Sequence, residues 1–213
     1  MPKLLGHFVV LCVLLTPRVG AAATLTFQPS SLDMFDLDHH FAYTWRIDGI
    51  DLEGEQIGAA SIAFDDIRNW DQSHNQLFIY LLDTAKWGGL RSYHDDVTNA
   101  APAPIADVFA NPPGSSNWLV AAGTAQTKLD EPTFGLAPVD WTYWFSPSEL
   151  DALGDYIASG GNLALGFDPD CHYFNNGVRF TLVTRPVPEP AITMLFGVAL
   201  SGLATLIRRQ RRR

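Results

Sequence analysis

Oxygen-bearing side chains are concentrated in the segment from Gly166 to Gly177. Asp168 and Asp170 stand two positions apart, so an extended chain would project both carboxylates to one side, and Asn175 adds an amide oxygen. Calcium prefers several such oxygen ligands, although the spacing does not match an EF-hand. The same residue types also cap hairpin turns through their own backbone N–H groups. The segment therefore predicts either a structural calcium ion at Asp168, Asp170 and Asn175 or a capped hairpin.

A second cluster, Asp33–His40, holds three aspartates and two histidines. Imidazoles suit a transition metal, but adjacent histidines in an extended chain point to opposite faces, so His39 and His40 could share one ion only across a bend. The alternative is a polar loop that leads into the next strand. A third acidic stretch, Asp65–Asp71, is expected to form a solvated turn with Trp70 tucked inward, or to complete a cation site beside the first cluster.

Six tryptophans form a fourth group of candidates. Sugar-binding β-sandwiches stack pyranose rings on exposed aromatic side chains, and Trp87, Tyr93 and Trp144 are the candidates here. The alternative is that these rings belong to the hydrophobic core, where most tryptophans are largely buried. The sequence leaves both interpretations open.

Catalytic motifs are missing from the sequence. It contains no G-x-S-x-G elbow, no H-E-x-x-H pair and no Walker loop. A pair of carboxylates for glycoside hydrolysis cannot be identified from spacing, and only five of the 23 acidic residues are Glu. We therefore expect a protein that is not an enzyme.

The elements that must position these residues are mostly strands. Alternating or continuous apolar patterns, bounded by Gly, Pro and Asn turns, predict an all-β, two-sheet, jelly-roll-like sandwich. Between them, Ala85–Pro113 is expected to form long loops with one short strand at Asp107–Ala110. The predicted strands are Phe41–Ile47, Gln56–Phe64, Leu77–Leu82, Trp118–Ala122, Val139–Phe145, Asn162–Phe167 and Val178–Thr184.

One short helix is predicted inside this β pattern. Ser146 at the N-cap, Pro147 at the first helical position and Glu149 at the third form a capping box, and Gly160-Gly161 ends the helix. We expect this helix to cross over between the sheets and to close one end of the sandwich.

Both ends of the chain predict targeting segments. Residues 1–23 are typical of a secretory signal peptide, with Lys3, an apolar stretch and a small-residue site at Ala21-Ala22-Ala23. Residues 24–185 would then be the exported domain. At the other end, Pro188-Glu189-Pro190 precedes 17 uncharged residues, 191–207, which as a helix would extend roughly 26 Å and serve as a transmembrane helix. Five arginines within 208–213 would hold that end in the cytoplasm.

The order of triplet, apolar helix and arginine cluster resembles the PEP-CTERM sorting signal of Gram-negative bacteria that make exopolysaccharide. The resemblance covers 186–213, with Pro188, Glu189 and Pro190 as the sorting motif. It implies anchoring in the inner membrane, processing by an exosortase near the triplet, and delivery to the cell surface or beyond. A plain tail anchor with an incidental proline-rich lead-in is the alternative.

The net charge of the exported part limits the classes of molecule that it can bind. Seven basic and 23 acidic residues lie between Thr24 and Pro190, a net charge of −16, which excludes nucleic acid as a partner. We therefore expect an exported, non-catalytic surface or matrix protein, sorted by an exosortase and associated with exopolysaccharide. A secreted carbohydrate-active hydrolase and a purely structural coat protein are the alternatives.

Overall fold

Strands make up most of the regular structure. The computed structural model describes residues 22–52, 54–95, 107–187 and 208–210. The α-helix α1 (Pro147–Gly160) and one short 3₁₀ turn (Met34–Leu37) accompany the strands, and residues 208–210 are also helical. The strands are β1 (Thr24–Phe27), β2 (Phe41–Asp48), β3 (Gln56–Asn69), β4 (Leu77–Leu82), β5 (Gly89–His94), β6 (Gln126–Asp130), β7 (Val139–Trp144), β8 (Asn162–Pro169), β9 (Tyr173–Phe174) and β10 (Gly177–Arg185).

The strands form two antiparallel sheets. The first sheet has the order β1-β10-β3-β7, with the short β9 paired to the end of β3. The second sheet has the order β5-β2-β8-β4-β6. Every strand pair is antiparallel. The prediction of an antiparallel, two-sheet β protein with one helix is confirmed at this level.

The main core lies between the two sheets. Alternate residues of β2, including Tyr43 and Trp45, point into it, as the sequence pattern predicts. Ile62 and Phe64 of β3 face them from the first sheet. The rings of Phe64 and Phe167 meet edge-to-face at 5.9 Å, so the two sheets are in direct contact through aromatic side chains.

A second core covers the outer face of the second sheet. Its members include Phe78 and Tyr80 of β4. Phe109 and Trp118 come from the covering loop, the segment 107–125 that lies over them. All six residues of β4 are consequently buried, which confirms the prediction of a strand covered on both faces. Gly166 of β8 makes the close fit possible, because a Cβ there would come within 2.7 Å of the Phe109 ring.

Three local predictions are wrong in this region. Trp118–Ala122 and Asp107–Ala110 are not strands but irregular or turn segments of the covering loop, although Trp118, Leu119 and Val120 are buried as their apolar character requires. The strand β5 lies where only loops were expected. It pairs with β2, so that Phe41 is opposite His94.

The acidic stretch after Phe64 also differs from its prediction. β3 continues through it to Asn69, with a bulge opposite β7 and Asp66 at a φ of 52°. Trp70, predicted to tuck inward, is 61% exposed.

The helix follows its prediction closely. Glu149 accepts a hydrogen bond from the Ser146 N–H at 2.6 Å, and Pro147 occupies the first turn. Gly161 ends α1 in the left-handed region, with its N–H bonded to the Ile157 carbonyl. Since α1 connects β7 of the first sheet to β8 of the second, it is the predicted crossover.

The predicted targeting segments lie almost entirely outside the described residues. The described residues begin at Ala22, and β1 follows directly after the expected signal-peptide boundary at Ala23. The triplet 188–190 and the apolar run 191–207 are not described. No helix within the described ranges is long and apolar enough to span a membrane.

Candidate functional site

The covering loop of the second sheet contains a groove of about 670 Å³. Its described lining is uncharged and combines hydroxyl groups, an amide, two prolines and an indole edge. Side chains of this kind offer hydrogen bonds and apolar contact without attracting ions. The lining residues are Pro112, Pro113, Gly114, Ser115, Ser116, Trp118, Val120, Ala121, Ala122, Gly123, Thr124 and Gln126.

Trp87 lies beside this groove because its neighbour Lys86 is bonded to the groove wall. The Lys86 N–H donates to the Leu119 carbonyl at 2.9 Å, and its ammonium group donates to the Ser116 carbonyl at 2.5 Å. The same ammonium lies 4.8 Å from the centre of the Trp87 ring. Trp87 is 38% exposed, so an aromatic surface is available at the edge of an uncharged groove.

The other two predicted stacking residues have different positions. Tyr93 of β5 packs its ring edge-on against Trp118 at 5.0 Å, which connects β5 to the groove. Trp144 is 64% exposed on β7, the edge strand of the first sheet. It projects to the opposite side of β7 from Trp141 and Tyr143, which pack on the main core. The structure thus brings Trp87 and Tyr93 to one loop region and leaves Trp144 on the other sheet.

Beneath the covering loop lies Asp168, one of the three predicted calcium ligands. It is 1% exposed, and it accepts a hydrogen bond from the Val108 N–H at 2.6 Å. Burial raises the pKa of Asp168 to about 8, and the nearby carboxylates of Asp95 and Asp107 act in the same direction. Around neutral pH, and without a cation, this carboxyl group therefore holds a proton.

Asp107 lies near this buried carboxyl group and has hydrogen-bond partners of its own. It accepts hydrogen bonds from the Tyr80 hydroxyl at 2.8 Å and from the Lys128 ammonium at 3.3 Å. Burial, followed by the bond to Asp107, raises the pKa of the Tyr80 phenol. Tyr80, Asp107 and Lys128 were not singled out in the sequence. They come from three separate segments, and no local spacing relates them.

The other two predicted calcium ligands bind different partners. Asp170 accepts a hydrogen bond from the Gln76 N–H at 2.6 Å, and burial raises its pKa. The Asn175 amide donates to the Asp33 carbonyl at 2.8 Å. Asp168, Asp170 and Asn175 are therefore each bonded to a different segment, and calcium binding by the three together stays a prediction.

Asp65 and Asp66 form a group of their own with Asp140, whereas Asp71 lies close enough to Asp170 to raise the pKa of that carboxyl group. Asp66 accepts a hydrogen bond from the Asn176 amide at 2.6 Å, and its N–H donates to Asp140 at 3.1 Å. A hydrogen bond to Asp140 raises the pKa of Asp65. These contacts join β3, β7 and the β9–β10 turn at the point where β3 bulges.

The two adjacent histidines do not point apart as the extended-chain argument predicted. His39 and His40 form a turn, and their ring centres are 4.0 Å apart. The turn closes because the Asp38 carboxylate accepts a hydrogen bond from the His40 N–H at 3.0 Å. An Asp that bonds to the N–H two positions ahead is a recognised turn signal, and it was available in the sequence.

Comparisons with known proteins concern the C-terminal end. Residues 186–212 match the family model of the PEP-CTERM protein-sorting motif. No curated protein and no solved structure matches the chain. The match covers the sorting motif predicted at Pro188, Glu189 and Pro190, and it implies export, anchoring at the membrane before processing, and processing by an exosortase. The chain therefore carries a PEP-CTERM protein-sorting motif at 186–212.

Proposed function

We propose that this PEP-CTERM protein is a non-catalytic surface or matrix component that binds neutral exopolysaccharide at the groove beside Trp87. The observation that carries the proposal is an exposed indole next to an uncharged groove of about 670 Å³. Carbohydrate recognition combines apolar stacking on an aromatic ring with hydrogen bonds to hydroxyl groups, and the groove lining supplies both kinds of contact.

The charge of the exported part selects among polysaccharides. A net charge of −16 between Thr24 and Pro190 repels polyanions such as uronic acid polymers. Among the described residues, the groove lining contains no lysine or arginine, and the neighbouring Lys86 ammonium is a single positive charge against this net repulsion. A neutral polymer meets no such barrier, so neutral glycans are the expected ligands.

The strand order supports this assignment by analogy of fold. Leaving out β5 and β9, the sheets read β1-β10-β3-β7 and β2-β8-β4-β6, and the chain crosses repeatedly between them. We infer jelly-roll-like connectivity from this interleaving. Lectin domains are among the proteins that use it, although the fold alone does not determine function.

The proposal assigns no catalytic role to the groove. The lining that the structure describes contains no carboxylate, histidine or cysteine, so it offers neither an acid–base pair nor a nucleophile for glycoside hydrolysis. The hydrolase alternative would require a pair of carboxyl groups that reaches the bound sugar.

Titration of the full chain, in mild detergent, with a neutral glucan, a uronic acid polymer and the host's own exopolysaccharide tests the proposal. We expect binding to the neutral polymer and little binding to the uronic acid polymer. Trp87→Ala should weaken binding about tenfold, which corresponds to about 1.4 kcal/mol. Trp144→Ala is the matched control, because it removes an exposed tryptophan from the other sheet.

Three results would count against the proposal. Absence of binding at millimolar sugar would favour a purely structural coat protein. An equal loss of binding affinity in the Trp87 and Trp144 variants would show that the glycan site is not at the groove beside Trp87. Release of new reducing ends during the incubation would favour the hydrolase.

A further inference from the structure

The turn before β2 brings together three side chains with metal-binding atoms. One ligand atom from each of Asp38, His39 and His40 lies within 4.8 Å of the others. His94 of β5, the edge strand that pairs with β2, lies next to this group, and its ring centre is 6.4 Å from that of His40. The group lies at the edge of the second sheet, outside the groove described above.

The backbone of this turn is held from both sides. The Asp38 N–H donates to the Tyr43 hydroxyl at 3.0 Å, and the Phe41 N–H donates to the Asp38 carbonyl at 3.0 Å. Tyr43 is only 1% exposed and belongs to the main core. The core therefore fixes the backbone position of Asp38 at the start of the turn.

One nitrogen in the group lacks a hydrogen-bond partner. His39 Nδ1 is shielded from solvent and makes no hydrogen bond within the described part of the chain. The Asp38 Oδ1 atom lies 3.7 Å from it, too far for a hydrogen bond. A shielded nitrogen without a hydrogen-bond partner, on a side chain that is itself 38% exposed and next to a carboxylate, is available to bind a metal ion.

The Asp38 carboxylate is accessible from solvent. A hollow of about 310 Å³ adjoins the turn, and Asp38 is one of its lining residues. The other lining residues are Phe35, Phe41, Tyr43 and Ser92. An ion could therefore reach the carboxylate without unfolding the turn.

We propose that Asp38, His39 and His40 form a site for a divalent transition-metal ion such as Zn²⁺ or Cu²⁺. Two imidazoles and one carboxylate are typical ligands of these ions, whereas calcium and magnesium prefer sites made wholly of oxygen. The acidic exterior attracts cations of any kind, so the imidazoles determine the selectivity. The ion would fix the entry to β2 against the β5 edge.

The test uses the full chain in mild detergent, purified without a polyhistidine tag and stripped of metal with a chelator. Calorimetric titration with ZnCl₂ should show one site per chain. The double variant His39→Gln/His40→Gln should weaken binding by at least about 100-fold, and Asp38→Asn by about tenfold. His74→Gln, which changes an exposed histidine in another loop, is the matched control and should bind as the wild type does.

A second measurement identifies the ligands directly. With Cu²⁺ as the probe, the electron paramagnetic resonance spectrum of the wild type should show coupling to imidazole nitrogens. This coupling should disappear in the double variant. The spectrum of the wild type tests the proposal even if the double variant fails to fold.

Several outcomes would overturn the proposal. These are no zinc binding by the wild type, unchanged binding in the double variant, a copper spectrum without nitrogen coupling, or displacement of zinc by equimolar calcium.

Discussion

The buried carboxyl group of Asp168 should make the stability of this protein fall as pH rises. In the folded chain its pKa is about 8, against an ordinary value of 3.8, and burial is the main cause. Between these two values the folded state binds a proton that the unfolded state has released. The free energy of unfolding therefore decreases with pH across this window and is highest at its acidic end.

The size of the effect follows from the two pKa values of Asp168. Each pH unit within the window changes the stability by about 1.4 kcal/mol per proton. From about pH 4 to about pH 7 the cumulative loss is roughly 4 kcal/mol, a large share of the stability of a small domain. The Val108 N–H lowers the pKa and partly opposes this loss, and the pKa of about 8 already includes its effect.

The variant Asp168→Asn isolates this contribution. Asparagine keeps the shape and an oxygen that can accept the Val108 hydrogen bond, but it cannot ionise. In urea unfolding across the pH window, the two proteins should have similar stability near pH 4. Near pH 7 the Asp168→Asn variant should be more stable than the wild type by roughly 4 kcal/mol. Asp155→Asn, at an exposed position of α1, serves as the control and should leave the pH dependence unchanged.

The difference between variant and wild type is the decisive quantity, because Asp65 and Asp170 also have raised pKa values and contribute to the slope of both proteins. A difference that stays constant with pH would refute the argument. Added calcium tests whether Asp168 is a calcium ligand. If Asp168 is a calcium ligand, calcium binds the ionised form and should stabilise the wild type more at about pH 8 than at about pH 5.

Two further predictions concern packing and processing. Gly166→Ala should destabilise the protein by about 1–3 kcal/mol in urea unfolding, because the new Cβ would meet the Phe109 ring at 2.7 Å. The control Gly114→Ala should have little effect, because no atom lies within 4 Å of a Cβ at that position. Mass spectrometry of the mature protein from its native host should find a C-terminus near Pro188–Pro190 and no peptide from 191–207; an intact tail would contradict processing at the triplet.

The elements that were predictable are those whose signals are local. The capping box at Ser146 and the glycine at the end of α1 determine the helix by hydrogen bonds within one turn. The continuous apolar run of β4 predicts burial on both faces whichever residues cover it. Both features depend on neighbours in the sequence, so both could be read from it.

The errors have a different physical origin. The apolar residues Trp118, Leu119 and Val120 are buried as their hydrophobicity requires, but they cover a sheet face without pairing as a strand. Hydrophobicity indicates burial, and for short runs it does not distinguish a strand from a covering loop. β5 was missed for the converse reason. Most of it is exposed, and its pairing with β2 comes from a partner far away in the sequence.

The candidate sites also depend on contacts with residues that would not themselves touch the ligand. Trp87 lies at the groove because Lys86 bonds to the loop at Ser116 and Leu119. Asp38 is held at the metal-binding turn by Tyr43, whose position the main core determines. Residue types at these positions suggested ligands for sugars and metals, and the Asp38–His40 turn is closed by a local hydrogen bond, but tertiary contacts determine where each group lies in the fold. A change that loosens the covering loop or the core beneath the turn should therefore impair binding without altering any residue that touches the ligand.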